Sequence, residues 1–128
     1  MDKVLVIVLI FASIWDGFTT IYGTLQILGT EWVSIIAALL FGALILSFLL
    51  NTRRIMSWES DFTGGFLKLF WVISISYDLF TAWTGNQTFI IGETTEPKKI
   101  ILLAGLTLMI SGSPVVLSLL WEKFIKEL

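Results

Sequence analysis

A chain of 128 residues with 56% hydrophobic side chains and a mean hydropathy of +0.92 is too apolar for a water-soluble domain and reads as an integral membrane protein. Its net charge of −2 and the lack of any basic patch exclude a nucleic-acid partner. Cysteine and histidine are both absent, which removes thiolate and imidazole metal sites, disulfides, haem ligation by either residue and every Cys- or His-based nucleophile; no metal or cofactor is expected.

Four apolar runs emerge from a window of about 20 residues, at 4–28, 32–50, 66–91 and 100–120. The first follows Lys3 but has no small-x-small cleavage site at a sensible distance, so it reads as a retained span rather than a signal peptide. Gly29-Thr30-Glu31 joins it to the second in a tight antiparallel hairpin. The second span carries Ser34, Ala38, Gly42, Ala43 and Ser47, small residues at spacings that admit close helix packing. The connection from Asn51 to Gly65 mixes Arg53, Arg54, Glu59 and Asp61 with Ile55, Met56, Trp58 and Phe62, a pattern suited to a segment lying in the membrane interface. Between the third and fourth spans, Thr95 and Pro97 supply a cap and a first-turn proline for the last helix. Ser111-Gly112-Ser113-Pro114 then falls near the middle of the fourth span, where Gly112 and Pro114 predict a hinge or kink.

Lys3, Arg53, Arg54, Lys68, Lys123 and Lys126 fall on one side of a four-span chain, and Lys98 and Lys99 on the other. That bias predicts a plasma or inner membrane protein with both termini in the cytoplasm. Trp32 near one face, and Trp58, Trp71 and Trp121 near the other, suit an aromatic belt.

Asp16 and Asp78 interrupt the first and third spans. A carboxylate near the centre of a spanning helix costs about 2.5–3.5 kcal/mol on insertion scales unless it faces protein or water. Both open the same phrase: shifting the chain by 62 residues lays Asp16 on Asp78, Phe18 on Phe80, Thr19 on Thr81 and Gly23 on Gly85. The expected fold is therefore all-α, one transmembrane domain over 1–128 with four helices in a 2+2 parallel internal repeat, its units at 1–50 and 63–120. Two spans separate the copies, so the repeat axis should run along the membrane normal and set both aspartates at similar depth.

At helical spacing, Ala12 or Ser13, Asp16, Thr19 or Thr20, Gly23 and Gln26 share one face of the first span. Ser74, Asp78, Thr81 or Ala82 and Gly85 share one face of the third, with Asn86 and Gln87 close by. Gly23 and Gly85, with Gly42 in the second span, mark close helix approach. Two carboxylates in a poorly hydrated interior conflict, and one shared proton or one bound hard cation resolves the conflict. The candidate ion or proton site is Asp16 and Asp78 with Thr19, Thr20 and Thr81.

P-loop and serine-elbow signatures are missing, and no nucleophile or phosphate clamp accompanies the carboxylates, so an enzyme is not expected. Asn86-Gln87-Thr88 fits a glycosylation acceptor but ends a span and is discounted. In size and span number the chain is similar to small multidrug transporters and to four-span fluoride channels, but neither group's motifs can be laid on it and the likeness transfers no function. The leading expectation is an oligomeric ion channel or a cation- or proton-coupled transport subunit; the alternative is a structural or accessory subunit of a larger membrane complex. The partners expected are the lipid bilayer and either further copies of the chain or other membrane subunits. A pore should turn its polar stripe to an oligomer axis, whereas an accessory subunit should bury its aspartates among its own helices or against a partner's basic residue.

Overall fold

The computed structural model describes residues 3–59 and 61–127, without the side chains of Phe124, Lys126 and Glu127. Residues 1, 2 and 128 of the expected domain, Ser60 of the long connection and the Lys126 side chain of the charge bias lie outside the described residues. Helix α1 spans Lys3–Leu28, α2 Trp32–Leu50, α3 Thr52–Met56, α4 Phe62–Asn86 and α5 Pro97–Glu127. The four long helices are apolar enough to cross a membrane and suit a multi-pass membrane protein.

The hairpin between α1 and α2 closes as expected from its length. Gly29 takes φ 95°, where a side chain would be strained, and its N–H donates to the Leu25 carbonyl at 2.8 Å. Two elements differ from the sequence expectation. Helix α4 begins at Phe62 rather than Phe66, because the Asp61 carboxylate accepts from the Gly64 N–H at 2.7 Å and caps the first turn. Gly64 is required there, since an added Cβ would fall on the Glu59 carbonyl. Helix α5 begins at Pro97 and continues to Glu127, past both ends of the expected 100–120 span. Pro97 occupies the first turn, but Thr95 does not cap it: the Glu96 carbonyl accepts the first helical N–H, from Ile100, and the Glu96 N–H donates to the Thr94 hydroxyl. The last turn of α4 widens into a π-helical turn over Gln87–Ile91, closed by the Gly92 N–H on the Gln87 carbonyl at 2.6 Å.

Part of the long connection forms α3, which is docked rather than free. Its Thr52 hydroxyl accepts from the Trp71 indole N–H of α4 at 2.8 Å, and the Arg53 backbone N–H donates to the Ser118 hydroxyl of α5 at 3.1 Å. Helices α1 and α2 run antiparallel in close contact, as an added Cβ on Gly42 would lie 2.8 Å from Ile21 Cγ1. Ring contacts of Phe41 with Tyr77 and of Phe48 with Phe70 pair α2 with α4 in the opposite sense, so α1 and α4 point the same general way.

They do not lie level side by side. Residues a helical turn apart, such as Thr19 and Gly23, are separated by about 6 Å along the axis, yet an added Cβ on Gly23 would sit 2.7 Å from Thr81 Cγ2, and one on Gly85 2.5 Å from Thr19 Cγ2. Such contacts arise where two helices cross obliquely through each other's glycine notches. Tilt also accommodates α1, whose 26 residues extend about 39 Å, more than the roughly 30 Å of a hydrocarbon core.

The interior is mostly polar. Among the described residues, fourteen polar or charged residues are buried against eight hydrophobic ones, while leucine, isoleucine, valine and phenylalanine coat the outside. This reversal of the soluble-protein pattern is what lipid demands: apolar side chains gain nothing by leaving the hydrocarbon, and hydroxyls find partners only inside.

Candidate functional site

Asp16 of α1 and Asp78 of α4 meet in the middle of this interior at 0% and 1% exposure. The two residues are neighbours, since Thr20 and Ser111 each reach both of them, and among the described residues neither carboxylate forms a salt bridge. Thr20, one turn beyond Asp16, donates its hydroxyl to Asp78 Oδ1 at 2.7 Å, with the Asp16 carbonyl a second acceptor at 2.9 Å. From α5, the Ser111 hydroxyl lies 3.5 Å from Asp16 Oδ1 and 3.4 Å from the Asp78 carbonyl, so three helices converge on the pair. Oδ2 of each aspartate is buried with no hydrogen-bond partner.

The candidate threonines divide into two kinds. Thr20 alone addresses a carboxylate. Thr19 turns its hydroxyl onto the Asp16 carbonyl at 2.9 Å, and Thr81 turns its own onto the Asp78 and Tyr77 carbonyls at 3.1 and 3.2 Å. The methyl and Cβ of these two threonines fill the Gly85 and Gly23 notches, so their part is to set the distance between the helices that carry the aspartates. Gly42 does the same between α1 and α2. At Gly112 an added Cβ would meet nothing within 4 Å, and Pro114 is buried inside one uninterrupted helix.

Polar contacts flank the pair. The Trp15 indole N–H donates to Asn86 Oδ1 at 2.8 Å, and the Asn86 amide reaches the Thr107 hydroxyl of α5 at 3.4 Å. Thr24 and Tyr77 share a hydrogen bond at 2.7 Å. These contacts come in reciprocal pairs: Trp15 with Asn86 becomes Tyr77 with Thr24, and Gly23 with Thr81 becomes Gly85 with Thr19, when α1 and α4 exchange positions by the 62-residue shift. The exchange fails at Ala82, which stands where Thr20 would map and leaves Asp16 without the threonine hydroxyl that Asp78 receives, and at Phe89, whose ring packs on Trp15, Phe18 and Tyr22 while Ile27 holds the matching place.

Sequence reasoning passed over Ser111, Thr24 and Thr107 as members of this network; Trp15 and Tyr77 stand beside the aspartates in the shared phrase, but their polar groups bond Asn86 and Thr24 rather than the carboxylates. Ser111 was visible only as part of a small-residue run beside a proline, and nothing in a single sequence assigns one face of α5 to the pair. Gln26, expected on the inward stripe, is exposed, and Thr24 takes that place because α4 crosses α1 at an angle instead of following it.

The donor set is all oxygen: two carboxylates, two hydroxyls and backbone carbonyls. Such a set holds a proton or a hard cation and offers nothing to a soft metal. Two neighbouring ionised carboxylates with no basic partner would leave uncompensated charge in the interior; a proton between the unpartnered oxygens, or one bound cation, compensates it. Among the described residues no group of three His, Cys, Asp or Glu side chains comes together. No family model, curated protein or solved structure matches this chain.

Proposed function

We propose that this protein is a cation- or proton-coupled transport subunit of a cell membrane, with the Asp16–Asp78 pair as the ion site. The observation that carries this reading is the pair of buried, unpartnered Oδ2 atoms in a site with no basic residue. A buried carboxylate oxygen is normally hydrogen-bonded; here one oxygen of each aspartate is left for a shared proton or a further ligand. A buried polar residue at many levels of the bundle, from Asn86 and Thr107 through Ser111 to Ser74, Thr52 and Ser118, supports a route along the helices. At one end, an open cavity is lined by Gln87, Glu93 and Glu96; Glu96 is paired with Lys99 at 3.9 Å, which leaves the Glu93 carboxylate to attract an approaching cation.

The aspartates are buried among the chain's own helices, the arrangement expected of an accessory subunit rather than of a pore on an oligomer axis, so the transport reading requires a route inside one subunit. The apolar exterior leaves room for further copies or other membrane subunits, and the Lys/Arg bias supports cytoplasmic termini. We read α1–α2 and α4–α5 as two copies of one hairpin, supported by the reciprocal contacts across α1 and α4. The accessory-subunit reading draws support from the same contacts, since the glycine notches fasten α1 to α4 with little freedom.

Purified protein in liposomes separates the two. Under an imposed proton or sodium gradient, wild type should carry flux, and Asp16→Asn and Asp78→Asn should each abolish it while the protein remains folded and inserted. Equal flux in wild type and both variants, or none in wild type, would leave the accessory reading.

A further inference from the structure

A cavity of about 750 Å³ opens where α3 meets α1 and α5. Its walls are of two kinds. Ile10, Leu50 and Leu117 form an apolar side, and Asn51, Arg53 and Arg54 a polar rim. Helix α2 is 19 residues long, uncharged and mostly apolar, and ends at Leu50, so the rim begins where the hydrocarbon gives way to headgroups. Trp121 lines the cavity and Trp71 is tied to α3, which agrees with that depth.

Charge in the lining does not cancel. Arg53 is paired with Glu122 at 2.6 Å, and both side chains are half exposed or more. Arg54 is exposed and lines the same cavity, so the lining holds two guanidinium groups against one carboxylate and retains positive charge. The floor is fixed, because the Arg53 backbone N–H is held on Ser118 of α5. A preformed cleft with cationic rim and apolar wall matches a molecule that has an anionic head and a hydrocarbon tail, and headgroups and hydrocarbon meet at the depth where the cavity opens.

We propose that this cavity binds an anionic phospholipid, with its phosphate on Arg54 and the free edge of Arg53 and one acyl chain along Ile10, Leu50 and Leu117. Basic pockets between spanning helices hold acidic lipid headgroups in this way, and arginine suits phosphate through its forked donors. The site is distant in composition from the aspartate pair and does not depend on how that pair works.

Native mass spectrometry and thermal unfolding in a mild zwitterionic detergent test the assignment, with phosphatidylglycerol, phosphatidylcholine and inorganic phosphate as probes. Wild type should retain phosphatidylglycerol and melt several degrees higher with it, and should respond to neither other probe. Arg54→Gln, which removes an exposed charge and leaves the fold intact, should lose at least about tenfold in apparent affinity, equivalent to about 1.4 kcal/mol. Lys98→Gln at the far end should behave as wild type. Equal stabilisation by phosphatidylcholine, a response to phosphate alone, or unchanged binding by Arg54→Gln would each overturn the proposal.

Discussion

Gly23 of α1 accepts the side chain of Thr81 from α4 so closely that an added Cβ would lie 2.7 Å from its methyl. The same contact with roles exchanged joins Gly85 to Thr19, and the aspartates are carried one to two turns away on the same two helices. Spacing between the carboxyl groups is therefore set by two glycine–threonine notches.

Gly85→Ala should destabilise the protein by about 1–3 kcal/mol, the usual cost of overpacking where neighbours cannot withdraw. Gly23→Ala should behave alike. Gly105→Ala is the control, because an added Cβ there meets nothing and the helix gains from losing a glycine. Thermal unfolding in detergent ranks the three; equal melting of Gly85→Ala and Gly105→Ala would contradict the notch.

The two flanking hydrogen bonds should not be worth the same. Trp15→Phe leaves Asn86 Oδ1 without its donor and should cost about 1–3 kcal/mol. Tyr77→Phe should cost less, because the Thr24 hydroxyl already reaches the Thr20 carbonyl at 2.7 Å and remains satisfied. A larger loss for Tyr77→Phe would show that the reciprocal pairing is not the source of stability.

Thr20→Val and Thr19→Val separate chemistry from packing. Both keep their shape; only the first removes a hydroxyl from a carboxylate. If the pair is an ion site, Thr20→Val should reduce flux at least about tenfold, the size expected from losing a hydrogen bond to a charged group, and Thr19→Val should change it little. Similar flux from the two variants would detach Thr20 from the site.

Ion dependence of stability supplies an independent check. A ligand that binds only the folded state raises the melting temperature by mass action. Wild type should therefore shift with Na⁺ concentration or with pH, and Asp16→Asn/Asp78→Asn should lose that shift. Parallel responses in the two proteins would remove the ion site and retain the structural reading.

Topology can be checked with reporters. One fused after Leu128 should be cytoplasmic, and one placed between Thr94 and Thr95 external. The reverse result would invert the orientation read from the charge bias.

The four helices were legible because runs of apolar residues punctuated by Gly29, Asn51 and Gly92 have no other stable form in lipid. Asp16 and Asp78 stood out because a carboxylate there is expensive. What could not be read was the crossing of α1 and α4, since helical spacing describes one helix at a time. That crossing exchanges Gln26 for Thr24 on the inner face, gives Thr20 rather than Thr19 to Asp78, and brings in Ser111 from a helix with no acidic residue in its membrane-spanning part. The early start of α4 was missed because the Asp61 cap lies among interfacial residues whose composition resembles a loop.

A bundle held together through its hydroxyls and amides should fail in a characteristic way. Lipid or detergent competes poorly for those groups, so lengthening the detergent chain or raising salt should loosen the helices little. Small alcohols and other partitioning hydrogen-bond donors enter the same phase and bid for the same acceptors. The helices should then separate while each remains coiled, with near-ultraviolet ellipticity from Trp15 and Tyr77 disappearing well before far-ultraviolet ellipticity declines.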